Sequence, residues 1–117
     1  MRVAVIGSRN IDYIKSAKHI YDLLCENIPV NCTEIVSGGA VGVDKLAEIY
    51  AVKNNLPMKI FLPDYDAYGK KAPIVRNDQI IRYAHLVIAF WDGVSHGTAY
   101  TIASCIRDGV PVKVVGI

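Results

Sequence analysis

A glycine-rich turn between a strand-like run and a helix-like run constrains the fold of this chain more than any other feature. Residues 33–36 (TEIV) are rich in β-branched side chains, and residues 46–51 carry apolar side chains at helical spacing. The turn between them reads SGGAVGVD. Glycines let a backbone approach a ligand, and the first helical turn leaves N–H groups unpaired with a partial positive charge. The pattern indicates an anion or phosphate cradle, although a tight turn followed by Asp44 on the first helical turn explains it equally well.

A second turn of the same kind lies at residues 91–98 (WDGVSHGT). It follows the apolar run at residues 86–90 and leads into another helix-like segment. The carboxyl ends of strands in an open parallel sheet line one edge, and ligands bind at that edge. Two turns that each join a strand to a helix therefore favour a ligand cradle over a simple tight turn.

Strand-like and helix-like segments alternate along the whole chain. Strands are expected near residues 3–6, 34–36, 58–62, 85–90 and 112–115, with helical segments between them. This alternation predicts an α/β fold, a three-layer Rossmann-like domain with a mainly parallel five-stranded sheet. At this length we expect residues 1–117 to form a single domain.

Three local expectations follow from the pattern of side chains. The first helix is expected to carry Ile14, Ala17, Tyr21, Leu24 and Ile28 on one face, with Asn10 or Asp12 as its cap. Residues 63–72 are polar and include a glycine, which argues against a helix or a strand, so they are expected to form a lid-like loop. The last helix is expected to bury Ala99, Ile102, Ala103 and Ile106 and to end at Gly109.

The composition indicates a soluble cytoplasmic protein without a cofactor or a metal site. A net charge of +2 and a pI near 8.4 neither indicate nor exclude a nucleic-acid partner. The three cysteines, Cys25, Cys32 and Cys105, form no C-x-x-C pair and are expected to be buried thiols. No apolar run approaches the length of a membrane span or a signal peptide. Neither the dinucleotide fingerprint nor the Walker motif is present.

Five motifs, in order along nearly the whole chain, carry a family resemblance. They are GSR at residues 7–9, SGGAVGVD at 37–44, YGK at 68–70, RN at 76–77 and DGVSHGT at 92–98. In this set the chain resembles the SLOG superfamily, the Rossmann-like group of DprA-type DNA-processing proteins and LOG-type nucleotide hydrolases. It looks most similar to the small stand-alone members of that group.

The resemblance implies a site for a nucleotide or nucleotide-derived ligand at the carboxyl edge of the sheet. It assigns backbone hydrogen-bond donors to Gly38, Gly39 and Ala40. It assigns phosphate binding to Ser95, Gly97 and Thr98. The residues expected to border the sugar or base are Gly7, Ser8 and Arg9. Arg76 and Asn77 match the family's Arg-Asn pair, and a guanidinium fork suits a phosphate, although a surface ion pair is the alternative. The remaining candidates within the motifs are Ser37, Asp44, Trp91, Asp92 and Gly93, with packing favoured over base stacking for Trp91.

Two departures from the family pattern bear on activity. LOG-type hydrolases carry a Gly-Thr-x-x-Glu run whose Glu serves the cleavage of an N-glycosidic bond, whereas here Thr101 stands at that position. Close relatives read Ala-Gly-Pro-x-Arg-Asn before the fourth strand, while this chain has APIVRN at residues 72–77. No catalytic residue is therefore assigned, and whether the chain is an enzyme is left open.

Three functions remain open at this point. The first is a nucleotide-binding or nucleotide-sensing domain, and the two glycine turns that each lead into a helix favour this function. The second is a nucleotide N-glycosidase or phosphoribohydrolase that uses another carboxylate, from Asp44, Asp64 or Asp92. The third is a DprA-like module for single-stranded DNA, with basic side chains and the aromatic rings of Tyr65 and Tyr68 along one edge. We also expect a homodimer or a higher homo-oligomer and no membrane partner.

Overall fold

The computed structural model describes residues 1–12 and 14–117. Its five strands are β1 (Arg2–Gly7), β2 (Glu34–Ser37), β3 (Met58–Ile60), β4 (Leu86–Trp91) and β5 (Val112–Gly116). Its helices are α1 (Ala17–Asn27), α2 (Val43–Lys53), α3 (Tyr65–Tyr68), α4 (Ala72–Tyr83) and α5 (His96–Asp108), with a 3-10 turn at Gly69–Lys71. Strands and helices thus alternate in the order that the sequence predicts.

The sheet has the strand order β3-β2-β1-β4-β5, and every neighbouring pair is parallel. The strand β1 lies at the centre and pairs with β4 from Val3–Leu86 to Gly7–Phe90. The continuous apolar sequence of β1 fits this place, since a central parallel strand is buried on both faces. The predicted parallel five-stranded sheet is confirmed.

Helices cover both faces of the sheet. On one face Ile20 and Leu24 of α1 and Leu46 of α2 pack against β1, β2 and β4. On the other face Ile80 and Ile81 of α4 and Cys105 of α5 pack against the same three strands. The result is the expected three-layer Rossmann-like α/β architecture. No helix in the described ranges is long and apolar enough to cross a membrane.

The segment at residues 63–72 differs from the expected lid-like loop. It forms α3 and the 3-10 turn, and then leads directly into α4. Asp64 supplies the local signal, because its carboxylate accepts a hydrogen bond from the Ala67 N–H at 3.0 Å and caps α3. The expectation of an irregular loop was therefore wrong.

The start of α1 also differs from the prediction. The helix begins at Ala17, with Ser16 as its N-cap residue, and Ile14 lies before it and is exposed. Asp12 instead accepts hydrogen bonds from the N–H groups of Ile14 and Lys15, so it caps the turn that precedes the helix. A carboxylate can satisfy either kind of turn, and here Asp12 satisfies the earlier one.

The buried face of α5 is rotated from the predicted one. Thr98, Thr101, Ser104 and Cys105 are buried, whereas Ala103 and Ile106 are exposed. The hydroxyl side chains of the helix therefore face the protein interior. The helix ends before Gly109, which adopts the left-handed conformation, and the predicted end of the helix is confirmed. The cysteine prediction was right for Cys32 and Cys105 but wrong for Cys25, which is exposed.

Candidate functional site

A cleft of about 310 Å³ opens at the carboxyl ends of the central strands. The parallel order of the sheet brings the turns after β1, β2 and β4 to this one edge, where α4 and α5 begin. Among the predicted site residues, those that line the cleft are Gly7, Ser8, Arg9, Gly38, Ala40, Asp44, Arg76, Asn77, Ser95, Gly97 and Thr98. Four motifs that are distant in the sequence thus meet around one cavity.

The other predicted site residues lie outside the lining. They are Ser37, Gly39, Trp91, Asp92 and Gly93. The Trp91 indole N–H donates to the Ser95 carbonyl oxygen at 3.1 Å, so the half-buried ring packs on its own turn. Ser37 is buried below the turn, where its hydroxyl accepts a hydrogen bond from the Gly39 N–H. These residues belong to the two glycine turns but do not line the cleft.

The cleft also contains residues that the motifs did not include. They are Ile6, Asn10, Pro73, Ile80 and Thr101. Thr101 could have been found from the sequence, because it lies three residues after Thr98 and therefore on the same helix face. Nothing local in the sequence distinguishes Ile80, whose place in the lining depends on how α4 packs.

The first glycine turn uses its own backbone donors. The Ala40 N–H donates to Asp44 Oδ2 at 3.1 Å, and the Gly39 N–H donates to Ser37 Oγ at 3.3 Å. Gly42 takes a positive φ of 79°, and a Cβ there would come within 2.8 Å of Arg9 Cα. Only glycine accommodates both that conformation and that contact with the β1 turn. The turn expected to offer donors to a ligand thus holds a side-chain carboxylate.

Arg76 holds this turn from the side of α4. Its Nη1 donates to the Gly38 carbonyl oxygen at 2.6 Å and lies 3.4 Å from the Phe61 carbonyl oxygen, while Nε donates to Asn77 Oδ1 at 2.9 Å. Arg76 is only 6% exposed, so the alternative of a surface ion pair was wrong. The guanidinium ties together α4, the end of β3 and the glycine turn.

Burial shifts the pKa values of Asp44 and Arg76 in opposite directions, and both shifts disfavour the charged form. Burial raises the pKa of the Asp44 carboxyl, and the Ala40 N–H and the Arg76 charge partly offset this shift. Burial likewise lowers the pKa of the Arg76 guanidinium, against the stabilising charge of Asp44. The two charges therefore stabilise one another in the cleft wall.

The second turn is arranged around the Asp92 carboxylate. Asp92 Oδ1 accepts hydrogen bonds from the N–H groups of Val94 at 2.9 Å and Ser95 at 2.8 Å. These bonds lower the pKa of Asp92 to about 2. The carboxylate also accepts a hydrogen bond from the Ser95 hydroxyl at 3.0 Å. Asp92 thus fixes the turn that leads into α5 without itself lining the cleft.

The amino end of α5 faces the cleft. Gly97 and Thr98 lie in the first helical turn, where N–H groups have no intrahelical acceptor and the helix dipole is positive. The hydroxyls of Ser8 and Ser95 meet at 3.3 Å beside them. Arg9, which follows Ser8 in the chain, is exposed and also lines the cleft. This combination of donors and positive charge suits an anion.

Carboxylates are scarce in the cleft. Thr101, which stands where LOG-type hydrolases have their Glu, donates its hydroxyl to the Gly97 carbonyl oxygen at 3.0 Å. Among the described lining residues Asp44 is the one acidic side chain, and it is engaged with the glycine turn. No group of three or more His, Cys, Asp or Glu side chains in the described ranges is arranged to hold a metal ion.

Comparison with known proteins supports the resemblance seen in the motifs. Residues 1–106 match the family model described as DNA recombination-mediator protein A. The gene 61 protein of Mycobacterium phage D29 is 30% identical over 120 residues, which cover 95% of this chain and 93% of that protein.

A solved structure shows the same fold. The X-ray structure of DNA processing protein A (DprA) from Streptococcus pneumoniae superposes with a TM-score of 0.76 at 23% sequence identity. The match covers 97% of this chain and 49% of that chain, so the present chain spans about half the length of that protein. The family-model match and the similarity to the phage protein show that this chain belongs to the DNA recombination-mediator protein A family.

Proposed function

We propose that this chain binds single-stranded DNA, with one backbone phosphate at the amino end of α5. The observation that carries the proposal is that Gly97, Thr98 and Arg9 all line the same cleft. Unpaired helix N–H groups, hydroxyls and a guanidinium are the groups that proteins use for phosphate oxygens. Membership of the recombination-mediator family makes DNA the first ligand to test.

The surroundings of the cleft also suit a nucleic-acid strand. Tyr65 and Tyr68 on α3 are 56% and 48% exposed, and Lys70 and Lys71 in the next turn are exposed as well. The helix α3 contacts α4, which carries Arg76 in the cleft wall, so α3 lies next to the cleft. Exposed aromatic rings with nearby cations support base stacking along a strand.

Binding of a free nucleotide in the same cleft is the second candidate. It is favoured by the cavity volume of about 310 Å³, which falls at the small end of the range for small-molecule sites. An N-glycosidase receives less support, because Thr101 replaces the expected Glu and Asp44 is engaged by the glycine turn.

The test is binding of fluorescein-labelled (dT)12 measured by anisotropy at several salt concentrations. We expect salt-dependent binding by the wild-type chain and an affinity about tenfold lower for Thr98→Val, which removes one hydroxyl donor. Ser104→Ala is the matched control, because it removes a buried α5 hydroxyl that does not line the cleft. A thermal-shift series with nucleotides tests the second candidate. Stabilisation by a nucleotide without any binding of (dT)12 would replace the first proposal by the second.

A further inference from the structure

The first glycine turn already contains an anion, the carboxylate of Asp44. The Ala40 N–H donates to Asp44 Oδ2 at 3.1 Å, and the Gly38 backbone amide also stabilises this carboxylate. Asp44 is only 8% exposed. Its charge therefore occupies the place that the sequence pattern indicates for a phosphate.

Two other polar groups of this turn are engaged as well. The Gly39 N–H donates to Ser37 Oγ, and the Gly38 carbonyl oxygen accepts from Arg76 Nη1. A phosphate at this turn would have to displace a buried, hydrogen-bonded carboxylate, and uncompensated burial of a charge is costly. The amino end of α5 has N–H groups without an intrahelical acceptor, so it suits an anion better than this turn does.

The charge of the cleft wall also limits the ligand. Its charged lining residues in the described ranges are Arg9, Asp44 and Arg76, which together carry a net charge of +1. A phosphodiester carries one negative charge, whereas a phosphomonoester carries about 1.5 to 2 near pH 7. The cleft therefore balances a diester better than a monoester or a polyphosphate.

We infer that Asp44 is a specificity-determining residue that limits the cleft to one singly charged phosphate. The cleft then holds one phosphodiester at the amino end of α5, and the Asp44 carboxylate repels the additional phosphates of nucleoside di- and triphosphates from the glycine turn. This inference rests on the proposed function and adds to it that polyphosphate nucleotides are rejected.

The experiment compares three thymidine ligands that differ mainly in the charge and number of their phosphates. They are thymidine 5′-methylphosphate, dTMP and dTTP, and their binding to the wild-type chain and to Asp44→Asn is measured by calorimetry. Asparagine keeps an acceptor oxygen for the Ala40 N–H and removes the charge. Asp64→Asn is the matched control, because Asp64 is an exposed capping aspartate on α3 outside the cleft lining. Circular dichroism shows whether each variant is folded.

For the wild-type chain we expect the methylphosphate to bind roughly tenfold more tightly than dTTP, with dTMP between them. In Asp44→Asn we expect the affinity for dTTP to rise by at least about tenfold while that for the methylphosphate changes little. The control should keep the wild-type order. Equal affinity of the wild-type chain for dTTP and the methylphosphate would overturn the inference, and so would an unchanged preference in a folded Asp44→Asn variant.

Parallel binding of (dT)12 separates this inference from the proposed function. If (dT)12 binds but dTTP competes as well as the methylphosphate, the inference fails and the proposed function stands. If (dT)12 binds and none of the three thymidine ligands does, the inference also fails, because a single phosphate should suffice. If neither (dT)12 nor any thymidine ligand binds, both fail.

Discussion

The guanidinium of Arg76 donates a hydrogen bond to the carbonyl oxygen of Gly38 across 38 residues of sequence, at 2.6 Å. This contact joins the second turn of α4 to the glycine turn after β2 in the wall of the cleft. Two of the five sequence motifs are therefore joined directly by a hydrogen bond. Arg76 acts here as a positioning residue, and this role leads to two predictions about stability.

Gly38→Ala should destabilise the chain by about 1–3 kcal/mol, as overpacking does. A Cβ at Gly38 would overlap Arg76 Nη1 and lie 2.7 Å from its Cζ. Gly97→Ala is the control, since nothing lies within 4 Å of a Cβ there and alanine favours a helix. Urea unfolding of the two variants measures the difference. Equal stability of Gly38→Ala and the wild-type chain would contradict the packing described here.

Arg76→Lys should cost about 1–3 kcal/mol of stability even without a ligand. Lysine keeps the charge but cannot reach Gly38 and Asn77 at once with a planar fork, which leaves a buried acceptor unsatisfied. Arg107→Lys, at an exposed pair with Asp108, should be close to neutral in the same urea titration. If Arg76→Lys unfolds like the wild-type chain, the guanidinium does not have the positioning role assigned to it.

Asp92→Asn should lower the melting temperature at neutral pH but have progressively less effect as the pH falls from about 4 to about 2. The folded chain holds the pKa of Asp92 at about 2, below the ordinary value of 3.8. The folded state thus binds fewer protons than the unfolded state in this interval, and the stability that Asp92 provides above it is lost on acidification.

Melting curves at pH 7, 4 and 2 test this prediction. Asp66→Asn, at an exposed carboxylate of α3, serves as the control for removal of a surface charge. A difference between Asp92→Asn and the wild-type chain that stays constant from pH 7 to pH 2 would show that the charge of Asp92 does not hold the second turn.

Arg9→Ala should weaken binding of (dT)12 and reduce its dependence on salt. Arg9 is exposed and lines the cleft, so it is positioned to neutralise one phosphate. Loss of one such contact reduces the slope of log K against log[salt] by about 0.7 for a single strand. Lys113→Ala, an equal loss of charge on β5 outside the cleft lining, should leave the slope unchanged. Equal slopes for Arg9→Ala and the wild-type chain would place the DNA elsewhere.

The sequence predicted the fold because its signals are local and repeated. Apolar strand-like runs alternate with helix-like segments, and the glycine-containing turns after β1, β2 and β4 mark where those strands end. Errors arose where local rules compete. Asp12 can cap a helix or a preceding turn, and the polar residues 63–72 fold into short helices through the capping bond of Asp64.

Most of the residues that line the cleft could be predicted from the sequence, but the hydrogen bonds between them could not. The motifs named most of the residues that line the cleft, because parallel strands end at one edge. The sequence could not show that Asp44 accepts from Ala40, or that Arg76 donates to Gly38 rather than to solvent or an acidic side chain. Those contacts depend on how α4 packs against the glycine turn, which no local pattern encodes.

The most direct test of the proposed site is the mapping of backbone amide shifts when (dT)12 is added to the ¹⁵N-labelled chain. We expect the largest shifts at the amides of Gly97 and Thr98. We expect little change at Ala40, whose N–H already donates to Asp44. Large shifts at Ala40 with none at Gly97 and Thr98 would contradict the proposed site.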